Sequence, residues 1–189
     1  CDREGLLWCG EGDAARARAG TNALWYHALV AMAQLGKLLG RRENAAFYIA
    51  WAHDLQRRFG ETFWDDDAGC LFESLSPAGP IRGLSPSQLW AAGLSPALLP
   101  LPVAGRLLAT VDRELLDGTG LRSRPGDGPA LLEWVGPWAS ATLRANHRDA
   151  LSRRRVGEVF ARLEWAARAG WQPAPGAERA IRSTLASAE

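Results

Sequence analysis

Asn22, Trp25, Tyr26 and Leu29 stand three or four residues apart in the run N-A-L-W-Y-H-A-L, so on a helix they share one face. That face is aromatic and amide-bearing rather than a stripe of Leu, Ile and Val. A flat ring beside a directional amide suits a sugar, offering an apolar plane to its C–H groups and fixed partners to its hydroxyls. A core helix with one wet edge would show the same residues, and both readings stand at this point.

The tryptophan content extends the same theme. Trp8, Trp25, Trp51, Trp64, Trp90, Trp134, Trp138, Trp165 and Trp171 make nine in 189 residues. A buried indole N–H wants a partner, so packing alone seldom asks for this many. A second chemistry-bearing segment is F-W-D-D-D-A-G-C-L-F, in which Asp65, Asp66 and Asp67 precede Gly69. Three acids invite a cation, but the further oxygen ligands and closing Glu of a calcium loop are absent. The segment reads as a solvated turn, and no metal site is expected. Cys1, Cys9 and Cys70 lack C-x-x-C spacing and are odd in number, which points away from zinc and disulfides and toward a reducing cytoplasm.

Elements that would position these residues are helical. One helix is predicted from Thr21 to Leu39, with Leu24, Ala28, Ala31, Leu35 and Leu38 in helical period and Gly40 as its stop. A second is predicted over 42–59, closing at Gly60, so that the two form a hairpin about Gly40-Arg41-Arg42. Further helices are expected over 85–99, interrupted by Ser95-Pro96, and from Pro102 to Leu116. The Gly- and Pro-rich stretch 117–136 reads as a loop, followed by helices over 137–147, 151–169 and 176–188. No period-2 strand pattern of useful length is present. The fold class is all-α, built from antiparallel helical hairpins in a single domain over 1–189.

Composition excludes several functions. The net charge is +1, so no global field draws the chain to nucleic acid or an anionic membrane. No run approaches the roughly 18 apolar residues of a membrane helix. Lys37 is the only lysine among 22 basic residues, a bias that fits a GC-rich genome better than an arginine-built binding surface. Arg153-Arg154-Arg155 reads as a solvated helix face. The chain opens on Cys1 and carries one methionine, Met32, which suggests a piece of a longer frame.

Five segments, in order, resemble the C-terminal glucosidase domain of glycogen debranching enzymes. N-A-L-W-Y-H-A-L at 22–29 is similar to E-x-N-A-L-W-Y-N-A-L, and Phe63 to Phe72 is similar to an F-W-then-G-Y-L-Y loop. S-P-S-Q-L-W-A at 85–91 resembles R-P-N-Q-x-x-A, E-L-L-D-G-T-G-L-R-S at 114–123 resembles L-L-T-P-x-G-L-R, and Val135-Gly136-Pro137-Trp138 resembles V-W-P-W. The resemblance implies an (α/α)6 toroid of six hairpins, of which this length holds about the second half. It implies Asn22, Trp25, Tyr26, Gln88, Arg122 and Trp138 as substrate-binding residues, an α-glucan or oligosaccharide as partner, hydrolysis of α-1,6-linked glucose at a branch point, and no cofactor.

The same resemblance shows what is missing. An inverting glycosidase uses a carboxylic acid and a carboxylate base. The T-W-M-D-A stretch holding the family acid is absent here, with Asp13 as its candidate remnant. The S-E-x-F-D stretch holding the second carboxylate has no counterpart in the tail, and Gly20 stands where the family has Glu. Glu133, just before Trp134, is the other low-ranking catalytic candidate, and both acids read more readily as surface residues than as catalysts. Two expectations follow. The chain is an incomplete glucosidase domain, inactive alone, or else a non-catalytic carbohydrate-binding or scaffold module of the same fold. An incomplete ring also exposes an apolar seam, to be covered by a missing N-terminal half or by self-association.

Overall fold

Helices begin where backbone or cap groups hold their first turns. The computed structural model describes residues 5–118, 120–126 and 130–168. α1 (Ala19–Leu38) starts two residues earlier than its sequence suggests, because the Ala19 N–H is already engaged by the Glu73 carbonyl at 3.1 Å. It ends at Gly40, whose φ of 69° lets the Gly40 N–H reach Lys37 O and the Arg41 N–H reach Gly36 O. That double closure satisfies the last carbonyls and turns the chain sharply.

α2 (Arg42–Phe63) returns along α1 and runs past the expected stop at Gly60. Phe59 and Phe63, one turn apart and both buried with ring centroids 4.9 Å apart, outweigh the glycine. The helix expected over 85–99 is much shorter: a 3-10 turn at Pro86–Gln88 runs into α3 (Leu89–Gly93), which stops before Ser95-Pro96. A residue preceding proline is sterically pushed out of helical geometry. α4 (Leu101–Glu114) carries Pro102 in its first turn, where no N–H is missed. α5 (Val135–Ala145) follows a 3-10 turn at Leu132–Trp134, and α6 (Ala150–Arg168) is capped by Asp149, whose Oδ1 accepts the Ser152 N–H at 2.7 Å. The helix expected over 176–188 lies outside the described residues.

Among the described residues, seven strands of two or three residues join these helices, too short for alternation to show in sequence. They are β1 (Ala17–Arg18), β2 (Trp64–Asp65), β3 (Cys70–Leu71), β4 (Ser74–Ser76), β5 (Gly79–Ile81), β6 (Leu116–Asp117) and β7 (Gly120–Leu121). β1, β4 and β5 form one antiparallel sheet, with Arg18 opposite Ser74 and Ser74 opposite Ile81. β2 pairs with β3 and β6 with β7, so part of the expected 117–136 loop is a hairpin.

α1, α3 and α5 lie side by side as an inner row. α2 packs on α1, α4 on α3 and α5, and α6 on α5, forming an outer row. Leu29, Leu55, Phe59, Leu71, Leu89, Leu107, Val111 and Val135 fill the space between the rows. On α1 the buried face is Ala19, Ala23, Tyr26, Leu29, Val30 and Ala33, whereas Leu24, Ala28, Ala31, Leu35 and Leu38 face solvent. α1 is therefore apolar on nearly every side, the pattern of a helix built to be covered.

The acidic turn is occupied by its own neighbours. Arg82 holds buried Asp65 at 2.6 Å and Asp67 at 3.2 Å, while Asp66 accepts from Arg106 at 2.6 Å and from the Trp64 indole at 3.1 Å. These hydrogen bonds push the Asp66 carboxyl below its usual range. Among the described residues no cluster of His, Cys, Asp and Glu could hold a metal, and no helix is long and apolar enough to cross a membrane. Cys9 and Cys70 are free thiols. In the Arg153–Arg155 run, Arg154 pairs with Glu158 on its own helix and Arg155 with Asp112 of α4.

Candidate carbohydrate-binding site

Each return from the outer to the inner row passes through short strands or a 3-10 turn, so the hairpins gather where α1, α3 and α5 begin. Two tryptophans meet at that end. Trp90 is the second residue of α3 and Trp134 directly precedes α5. Their rings lie 5.7 Å apart at 59°, and both indoles are half-buried. Glu133, exposed in the 3-10 turn that holds Trp134, directly precedes that residue. Arg122 follows β7, its backbone tied to Leu115 O and its Nε 3.6 Å from Asp117 Oδ2. The pairing of Leu121 with Leu131 brings this strand alongside the segment that leads into Glu133. Two partly buried indoles in contact, with an acid on the same turn and a guanidinium on the adjoining segment, have the chemistry to stack a sugar ring and hydrogen-bond its hydroxyls.

A second carboxylate lies at the same end of α1. Glu73 opens the β4 segment, and its Oε2 accepts from the Ser85 hydroxyl at 2.8 Å, which in turn lies 2.8 Å from Ser87 Oγ. A Cβ on Gly20 would sit 2.7 Å from Ser87 Oγ. The helix start and the serine turn touch so closely that position 20 has room for nothing larger than hydrogen. Sequence reasoning passed over Trp90, Trp134 and Glu73. The first two were visible as members of quoted or neighbouring motifs, and the third carried no signal.

The amides predicted to face sugar are spent on backbone. Asn22 is fully buried: its Oδ1 accepts the Leu7 N–H at 2.7 Å, and its Nδ2 donates to Leu7 O at 3.1 Å and Arg18 O at 3.0 Å. Gln88 repeats the device: its Oε1 accepts the Leu71 N–H at 3.0 Å, and its Nε2 donates to Leu71 O at 2.9 Å and Gly83 O at 2.8 Å. Each amide satisfies both backbone groups of one residue, as a neighbouring strand would. Each thereby fixes the segment entering or flanking an inner helix.

The predicted aromatic residues are each held by partners of their own. Trp138 is fully buried. Its indole donates to Asp112 Oδ1 at 2.7 Å, Arg155 pairs with Asp112 Oδ2 at 2.8 Å, and the Arg155 guanidinium sits 5.7 Å over the Trp138 ring. This node joins α4, α5 and α6. Trp25 stands edge-on to Trp51 of α2 with centroids 5.5 Å apart, and its own N–H is buried without a hydrogen-bond partner. Tyr26 is buried beside the His27 ring at 5.0 Å. Burial, with the Arg144 charge, lowers the His27 pKa to about 4 and keeps the imidazole neutral at pH 7. Arg144 donates to Ala92 O and Leu94 O, which secures the end of α3. Asp13 is exposed in a 3-10 turn, where its carbonyl accepts from Arg16 at 2.6 Å. The structure thus brings Arg122 and Glu133 to adjoining segments and engages Trp25, Gln88 and Trp138 with different packing and hydrogen-bond partners.

A sequence model described as the mannosylglycerate hydrolase MGH1-like glycoside hydrolase domain matches residues 4–129. The chain belongs to that family. Similar solved structures include a possible member of the GH105 family from Salmonella enterica, at 15% identity and a TM-score of 0.57, covering 78% of this chain and 43% of that one. Neutral trehalase Nth1 from Saccharomyces cerevisiae is similar at 17% identity and a TM-score of 0.54, covering 76% of this chain and 29% of the other. The two likenesses assign the inner and outer rows to the six-hairpin (α/α)6 fold, and the chain spans less than half the length of either structure. No curated protein matches the chain.

Proposed function

We propose that the hairpin end of the inner row is the carbohydrate-facing surface of a glycoside hydrolase domain, centred on Trp90, Trp134 and Glu133. The observation that carries this reading is the contact of two half-buried indoles from successive inner segments, one of them directly preceded by an exposed acid. Stacking on such a pair orients a sugar ring, and Arg122 lies on the adjoining segment as a donor for its hydroxyls. The substrate class has two lines of support. The motif resemblance supports an α-1,6-linked glucose at a branch point of an α-glucan, and the family description supports a mannosylglycerate.

Hydrolysis needs one carboxyl to protonate the leaving oxygen and a second to take a proton from the attacking water or to attack the anomeric carbon directly. Glu133 has the exposure for one such role. Asp13 lies in a separate turn and Glu73 is engaged by Ser85. The chain by itself accordingly binds glycan without cleaving it. General acid–base catalysis contributes roughly 10²–10⁴-fold, and losing one partner forfeits it. Incubation with a branched α-glucan and with mannosylglycerate is expected to release neither glucose nor mannose. Release that is abolished by Glu133→Gln or Asp13→Asn would show a working carboxylate and contradict the inactive reading.

A further inference from the structure

The main chain of Glu73 is fixed on both sides. Its carbonyl accepts the Ala19 N–H that opens α1 at 3.1 Å, and its own N–H donates to Ile81 O at 2.9 Å. A Cβ on Gly83 would stand 3.0 Å from the Glu73 Cβ, so neighbouring chain also presses on the base of the side chain. From there the half-buried carboxylate accepts from the Ser85 hydroxyl at 2.8 Å, and Ser85 Oγ lies 2.8 Å from Ser87 Oγ. Counting hydrogens gives this chain of contacts a direction. A carboxylate only accepts, and a serine hydroxyl has one hydrogen to give. Ser85 gives its hydrogen to Glu73, so the hydrogen between the two serines comes from Ser87. The Ser87 oxygen is left as an acceptor, polarised through Ser85 by the Glu73 charge. Such an oxygen suits a neutral hydroxyl and repels a carboxylate or phosphate.

Ser87 stands close to the paired indoles. It is partly exposed, and its oxygen lies 2.7 Å from where a Gly20 Cβ would be, at the opening of α1. The glycine at position 20 is what admits it there. The 3-10 turn Pro86–Gln88 runs without a break into α3, so Ser87 and Trp90 are three residues apart on continuous helical chain. That spacing sets two side chains on one side, with their Cβ atoms about 5–6 Å apart. We propose that Ser87 is a substrate-binding residue whose oxygen accepts a hydrogen bond from a neutral sugar hydroxyl, and that Glu73 and Ser85 are positioning residues that turn its hydrogen away from the ligand. The inference rests on the reading that glycan stacks on Trp90 and Trp134, and it adds the hydroxyl that this surface selects.

Fluorescence titration of the full chain with methyl α-isomaltoside and with mannosylglycerate, each beside its monodeoxy analogues, tests the assignment. In the parent, deleting the hydroxyl that Ser87 accepts should weaken binding about three- to tenfold, the range of one net hydrogen bond. Ser87→Ala should abolish that one penalty and leave the other analogues in their parental order, whereas a variant that merely loosens the fold weakens every ligand alike. Glu73→Gln, whose amide can donate and so reverse the chain, and Ser85→Ala, which cuts it, should each shrink the same penalty by half or more. Circular dichroism verifies the folding of each variant. A parent with no such selective penalty, or one whose penalty survives in full in Ser87→Ala, overturns the assignment while binding at the indoles stands. A penalty kept in full in both Glu73→Gln and Ser85→Ala overturns the positioning roles. A parent that binds neither sugar, or binds them unchanged in Trp90→Ala, overturns the stacking reading together with this one.

Discussion

Replacing Gln88 with Leu is expected to remove about 3–5 kcal/mol of stability, because it strands buried polar groups at about 1–3 kcal/mol each. The substitution keeps the side chain near its original size. It deprives the Leu71 N–H, the Leu71 carbonyl and the Gly83 carbonyl of their partner. Leu71 is fully buried, so its backbone groups have no route to water. Urea denaturation followed by circular dichroism gives the free-energy difference. A loss below about 1 kcal/mol would mean that the amide is dispensable to the fold, and would return Gln88 to the status of a ligand-facing residue. Asn22→Leu should behave alike, since Asn22 makes the matching set of bonds to Leu7 and Arg18.

Trp138→Ala should cost about as much, roughly 3–5 kcal/mol for a large aromatic removed from a packed interior. The damage has two parts. One is the cavity between α4, α5 and α6, and the other is the loss of the indole donor and ring from the Asp112–Arg155 pair. Trp138→Phe separates them: most of the volume stays, the N–H goes, and the cost should fall to about 1–3 kcal/mol for the unsatisfied Asp112 oxygen. Equal stability of the parent and Trp138→Ala would contradict a packing role for this residue.

These two residues show where a sequence stops being legible. The α1–α2 hairpin was readable because its period, its length and Gly40 all reported the same local event. The short strands were not, since two residues cannot display an alternation. Asn22 and Gln88 stood out as amides on aromatic helices, but an amide spacing is identical whether its partner is a sugar or the backbone of Leu7 or Leu71. Only the distant chain decides that, and nothing near positions 22 or 88 encodes where residues 7 and 71 will lie. The period of Leu24, Ala28, Ala31, Leu35 and Leu38 was legible as helix, yet it marks the exposed side and not the buried one. Periodicity states that a helix has faces, and the packing of its neighbours states which face is covered. Glu133 was legible through its place before Trp134, whereas the partner ring of Trp90 became meaningful only when α3 and α5 were seen side by side.

Glycan binding at Trp90 and Trp134 can be read by a fluorescence titration. An α-1,6-branched glucan oligosaccharide and mannosylglycerate would be titrated into the parent chain and into Trp90→Ala, Trp134→Ala and Trp25→Ala, each verified as folded. Saturable tryptophan quenching by at least one of the two ligands is predicted for the parent and for Trp25→Ala. In Trp90→Ala and Trp134→Ala the affinity should fall by about tenfold or more, the equivalent of about 1.4 kcal/mol. Binding unchanged in both of those variants, or lost in Trp25→Ala alone, would place the glycan away from Trp90 and Trp134.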